Sequence, residues 1–225
     1  METIYKISNL HKSYRSSSEV IQAAVDINLE IKKGDFVIIF GPSGSGKTSL
    51  LNLLSGLDQP DSGEIVFRGK NFGSLSDKEK TLLRRDQIGM VFQSFELIPV
   101  MNCYENIEYP LLLGKMGKKE RKKRISEISH SLEIADLLHR RPCDISGGQK
   151  QRVAIARTLV TRPQIILGDE LTGSLDSKTS RLIYEMLKDL NETRHQSLIT
   201  VSHDRSLQCY ASRVFNLIDG NLIAQ

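Results

Sequence analysis

The chain has 225 residues, room for one large α/β domain or for a core carrying an inserted subdomain. Charged residues make up 26% and hydrophobic residues 39%, with Gly and Pro spread along the chain, which excludes a disordered or fibrous protein, and the net charge of +4 is only a mild basic bias. The three cysteines, Cys103, Cys143 and Cys209, are far apart and in no metal-ligand spacing, so neither a disulfide framework nor a zinc site is expected and a reducing cytosol fits.

In chain order, residues 1–9 carry charges and hydroxyls without an apolar stretch, so no secretory signal is expected there. Ile4-Tyr5-Lys6-Ile7 alternates and residues 20–31 are rich in β-branched side chains, predicting short strands with Ser16-Ser17-Ser18 as a turn between them. Lys32-Lys33-Gly34-Asp35 reads as a turn, and Phe36-Val37-Ile38-Ile39-Phe40 as a strand buried on both faces. A helix is predicted over 47–57, ending near Gly56, and strands over 64–68 and 88–92. Residues 102–160 are helical in pattern and charge-rich. Their basic run, 118–124, reads as a solvated helix face, with anionic lipid head groups or a nucleic acid as the sharper alternatives. Without Trp or interleaved aromatics, a nucleic-acid partner is not expected. Ile165-Ile166-Leu167, 197–202 and 213–218 restore strands around a helix at 177–193. The pattern is an α/β core with a helical insertion at 94–160. No run approaches the roughly 18 apolar residues of a spanning helix, so membrane work would need a partner that supplies the spanning part.

Gly41-Pro42-Ser43-Gly44-Ser45-Gly46-Lys47-Thr48 fits G-x-x-x-x-G-K-[ST] and sits between a buried strand and a helix, the setting that a phosphate-binding loop demands. Glycines let successive N–H groups turn inward on phosphate oxygens, and the following helix start adds partial positive charge. Lys47 is placed to neutralise β- and γ-phosphates, and Thr48 to ligate Mg²⁺, so ATP and Mg²⁺ are the expected cofactors. Further on, Asp169-Glu170 ends an apolar strand. Asp169 is a candidate metal ligand and Glu170 a candidate base for the water that attacks the γ-phosphate. Alone, such an acid pair is more often a solvated turn. Beside a phosphate loop it favours hydrolysis over transfer to an acceptor, and a small-molecule kinase is the weaker alternative.

The stretch Ile145-Ser146-Gly147-Gly148-Gln149 resembles the signature of ABC ATPases, with Ile145 in place of the usual leucine. Read from the residues alone, Ser146 is either a helix N-cap or a hydroxyl that, with the Gly147-Gly148 backbone, faces an anion. The family's other motifs follow in order along essentially the whole chain. By that resemblance Tyr14 is the aromatic that stacks on adenine, and Ser49 extends the phosphate loop. Gln93 senses Mg²⁺ and the membrane partner, Asp176 lies on a loop that reaches the opposite subunit, and His203 contacts the γ-phosphate. Gly168 and Leu171 stand where alanine and proline are common. The resemblance implies one domain, 1–225: a P-loop core (1–93 and 161–225) with a mainly parallel sheet, an N-terminal antiparallel β part, and an inserted helical subdomain (94–160) that carries the signature. It also implies a homodimer on ATP binding, an integral membrane permease-type partner, and a place on the cytoplasmic face of the inner (plasma) membrane. Residues 92–99 and 104–111 look most like the lipoprotein-release and macrolide-export branch. Amino-acid importers, a cell-division relative and soluble ABC ATPases share much of the pattern.

Overall fold

The computed structural model describes residues 2–15 and 20–225, so the turn predicted at 16–18 lies outside the described residues. Among the described residues ten strands form two sheets. The six-stranded sheet is built around β3 (Phe36–Phe40), with β8 (Ser197–Ser202), β7 (Ile165–Asp169) and β6 (Ile88–Val91) on one side and β9 (Arg213–Ile218) and β10 (Asn221–Ala224) on the other. All are parallel except the edge strand β10. The second sheet, antiparallel, is formed by β1 (Thr3–Arg15), β2 (Val20–Lys32), β4 (Ser62–Phe67) and β5 (Lys70–Asn71).

Strand β3 has every residue buried, and its alternating side chains feed two cores, as the period of two requires. Val37 and Ile39 pack with α1 (Lys47–Ser55) and the antiparallel sheet. Phe36, Ile38 and Phe40 pack with α3 (Cys103–Leu113), α4 (Lys118–Ser131), α5 (Gly147–Leu159) and α6 (Ser177–Arg194). The Tyr5 hydroxyl donates to Leu54 O at 2.6 Å in the buried seam, tying the antiparallel sheet to α1.

Between β6 and β7 the described residues hold helices and no strand, as expected for 94–160. The basic run lies on α4 and is in part paired: Arg121 with Glu108 at 2.8 Å, Arg124 with Glu120 at 3.0 Å. Several boundaries need correction. Helix α1 stops at Ser55 because Gly56 turns left-handed behind it, β4 stops at Phe67 because Arg68 has φ 47°, and β6 ends at Val91. The first strands are long, not short: each of β1 and β2 spans 13 residues, with register shifts beside left-handed Asn9 that interrupt the alternation. A helix at α2 (Asp77–Asp86), and the strands β5 and β10, were not expected.

Candidate functional site

Register places the expected residues at one end of the parallel sheet. Phe40 aligns with Ser202, Val201 with Asp169, and Gly168 with Val91, so the segments leaving β3, β8, β7 and β6 emerge side by side. Those segments carry residues 41–48, His203, Glu170 and Gln93. Ligands of open parallel sheets bind at this carboxyl end.

The loop 41–48 turns directly into α1, and Gly46 makes the turn at φ 102°. A Cβ there would lie 2.1 Å from Ala23 O, so both the backbone angle and the packing against β2 require glycine. Lys47 is 8% exposed, and its Nζ donates to Gly41 O and Pro42 O at 2.9 Å each and faces Glu170 Oε1 at 3.5 Å. The other Glu170 oxygen lies 2.8 Å from His203 Nδ1. Glu170 therefore stands between two basic side chains, beside a cleft of about 410 Å³ that Gly173, Leu175, Ser202 and His203 also line.

Asp169 is partly buried, and its Oδ1 has no hydrogen-bond partner. Burial pushes its carboxyl above the usual range; the Thr48 hydroxyl and the Lys47 ammonium act against that shift, and the Glu170 charge adds to it. The buried Ser45 hydroxyl is also without a partner. Gln93 is exposed just beyond β6, with its amide against Gly173, where a Cβ would lie 2.8 Å from Nε2.

Ser146 caps α5: its Oγ accepts from Gln149 N at 3.4 Å, and the Gln149 side chain accepts from Ser146 N at 2.9 Å. A Cβ on Gly148 would meet Thr179 Cγ2 at 2.5 Å, and one on Gly147 would meet Leu175 Cδ2 at 3.1 Å. The signature glycines thus let α5 begin close against α6 and the loop before it. Asp176 caps α6, accepting from Lys178 N and Thr179 N at 3.0 Å and from Thr179 Oγ1 at 2.6 Å. Tyr14 is 37% exposed; its hydroxyl donates to Asp58 Oδ2 at 2.6 Å, and the Lys12 ammonium stands 5.0 Å above the ring.

A phosphate-type loop, two acids and a histidine share one sheet end, with a glycine-rich helix start elsewhere on the chain. The family described as ABC transporter matches residues 24–173. The chain belongs to the ABC transporter family. This ABC cassette is 44% identical over 221 residues to the uncharacterized ABC transporter ATP-binding protein MJ0796 of Methanocaldococcus jannaschii, covering 96% of this chain and 94% of that one. A dimeric structure of the MJ0796 cassette in a post-hydrolysis state, bound to ADP and Pi, superposes with a TM-score of 0.88 at 42% identity and covers 98% of each chain. The lipoprotein-releasing system ATP-binding protein LolD of Legionella pneumophila is 37% identical, covering 100% of this chain and 99% of that one. The macrolide export ATP-binding/permease protein MacB of Wolinella succinogenes is also 37% identical, across 97% of this cassette but 34% of its own length.

Of the expected site residues in this ABC cassette, Lys47, Asp169, Glu170 and His203 are brought together, with the rest of the loop, Ser49 on α1 and Gln93 nearby. Ser146, Gly147, Gly148, Gln149 and Asp176 form a second cluster. Its hydrogen bonds and close approaches join these residues to one another and to Phe95, Leu175, Lys178 and Thr179. Sequence reasoning missed Arg157 on α5, whose guanidinium donates to Phe95 O at 2.9 Å and to Glu96 O. It joins the signature helix to the segment after Gln93, where Phe95 and Glu96 both have positive φ. No local sequence signal marks such a long-range tie. Gly173 was also missed, although the Thr172-Gly173 turn after the acids was a signal for it.

Proposed function

We propose that this chain is the ATP-hydrolysing subunit of an ABC transporter complex in the lipoprotein-release and macrolide-export branch, working with a membrane-spanning partner. The observation that carries this reading is the convergence of Lys47, Asp169, Glu170 and His203 at the end of the parallel sheet. ATP binds with its phosphates in loop 41–48 and its adenine toward Tyr14. Glu170 takes the proton of the attacking water, while Lys47 and His203 hold its carboxylate from either side.

The hard oxygens of Asp169 and Thr48 fit Mg²⁺, because the buried Asp169 Oδ1 otherwise lacks a partner; Gln93 completes the set. Bound by those residues, Mg²⁺ would supply positive charge against the phosphates. The Ser146 and Asp176 side chains are hydrogen-bonded within the starts of their own helices, which supports their use on the ATP held by a second copy. The similar MJ0796 cassette, dimeric with ADP and Pi bound, supports pairing with a second copy.

No helix among the described residues is long and apolar enough to cross a membrane. A groove of about 530 Å³, lined by Arg84, Arg85, Glu96, Ile98, Tyr109 and Leu113, offers a seat for the membrane partner beside the Gln93 segment. Val100, 79% exposed, stands on the same segment. That partner holds the cassette at the cytoplasmic face of the membrane, and residues 94–160 act as the unit that couples the two. The test is detergent extraction and affinity capture of the chain from its own membranes. An integral membrane protein is expected to co-purify and to change the ATPase rate, whereas an ATPase that captures none would return the chain to the soluble members of the family.

A further inference from the structure

We propose that Leu171 and Gly168 form a matched pair that positions the Glu170 carboxylate for hydrolysis, an inference that rests on reading Glu170 as the base. Glu170 has φ 46°, a left-handed conformation that is strained for a non-glycine residue and persists only where the surroundings impose it. Two backbone hydrogen bonds hold it: Glu170 N to Val201 O at 3.2 Å, and Gly173 N to Glu170 O at 2.9 Å. The third restraint is the next side chain. Leu171 is 1% exposed and folds back over residue 168, so that a Cβ there would lie 2.8 Å from its Cγ, 2.8 Å from Cδ1 and 2.9 Å from Cδ2.

Gly168 cannot move aside, because β7 is paired on both edges, Gly168 with Val91 and with Thr200. A methyl at 168 must therefore displace Leu171. Leu171 is bonded directly to Glu170, so its displacement turns the carboxylate away from Lys47 Nζ at 3.5 Å and His203 Nδ1 at 2.8 Å. Residues 168 and 171 are thus one fit: the leucine needs the bare Cα, and the bare Cα is filled by the leucine. Packing of an isobutyl group fixes the turn that carries the base.

The experiment is steady-state ATP hydrolysis by the purified chain, with kcat and KM read separately, for Gly168→Ala, Leu171→Ala, the double variant, Leu171→Met and Glu170→Gln. Displacing a catalytic group by about 1 Å costs up to about 100-fold, so Gly168→Ala is expected to lower kcat by about 10- to 100-fold with KM for ATP within about twofold. Leu171→Ala lowers kcat less, and the volume-conserving Leu171→Met keeps it within about threefold. The double variant regains about tenfold over Gly168→Ala, since the methyl enters space that the leucine has left. A purely structural role predicts the reverse, a double variant worse than either single one. Wild-type kcat in Gly168→Ala, or no recovery in the double variant, overturns the inference while Glu170→Gln remains inactive. If Gly168→Ala does not fold, Leu171→Ala carries the test, and an unchanged kcat there overturns the pairing. Normal turnover in Glu170→Gln overturns the base assignment, and the inference with it.

Discussion

His203 Nδ1 lies 2.8 Å from Oε2 of Glu170, and the opposite oxygen of that carboxylate faces Lys47. The histidine is mostly exposed while the glutamate is largely buried, so His203 reaches in from the solvent side and restrains a group that the sheet end presents. His203→Ala is expected to lower kcat by about 100-fold with little change in ATP affinity, as for loss of a group that orients a base. Equal losses in affinity and kcat would assign the histidine to nucleotide binding instead.

Lys47 is bonded within its own loop and faces Glu170, whereas Ser146 is hydrogen-bonded to Gln149 on α5. Lys47→Ala is expected to weaken ATP binding by about 10- to 100-fold, the range for losing a charged hydrogen-bonding group. Mixing Lys47→Ala chains with Ser146→Arg chains restores one composite site per heterodimer, so the mixture hydrolyses ATP faster than either variant alone. Loss of the cap at Ser146 costs about 1 kcal/mol, so the assay is run well below the melting temperature of that variant. A mixture as inactive as its components would place both residues on the same nucleotide.

Gly148 is needed for a reason that involves no ligand. A methyl there meets Thr179 Cγ2 at 2.5 Å, so Gly148→Ala should lower stability by about 1–3 kcal/mol in urea unfolding. Thr179→Ser removes that methyl and keeps the hydroxyl that donates to Asp176 at 2.6 Å. Adding it to Gly148→Ala should recover most of the loss; no recovery would mean that Gly148 is intolerant for another reason.

Burial holds the Asp169 carboxyl above its ordinary range, so the folded chain binds that proton more tightly than the unfolded chain does. The ionised group therefore opposes folding. The opposition is absent well below the unfolded value of about 3.9 and grows as pH rises through the raised folded value. Without nucleotide or Mg²⁺, Asp169→Asn should raise Tm at about pH 8 and raise it less at about pH 5. ATP hydrolysis should be lost in the same variant. A lower Tm at the higher pH would mean that the charge supports the fold.

The central parallel strands were legible in the sequence, because burial on both faces favours dense apolar and β-branched runs: β3 and β8 are buried throughout and have the predicted boundaries, and the partly buried β9 has its predicted boundaries too. The loop 41–48 and the acids were legible because their chemistry is local. Helix α2 was not, since its residues are mostly polar, yet its capping box of Ser76 and Glu79 was a written signal. Strand β10 follows the hairpin turn Asp219-Gly220, both residues at positive φ, and that dipeptide was a signal too. The fit of Leu171 against Gly168 depends on how one side chain folds back over its own strand. In the sequence Gly168 and Leu171 read as separate departures from the family pattern, whereas in the structure they make one contact.

The most direct measurement is single-turnover hydrolysis and sedimentation of Glu170→Gln with ATP and Mg²⁺. Glu170→Gln is expected to form a dimer that retains ATP and hydrolyses it at least about 100-fold more slowly than the unaltered chain, the scale of a lost general base. Hydrolysis at the normal rate, or a chain that stays monomeric with ATP bound, would contradict the proposed function.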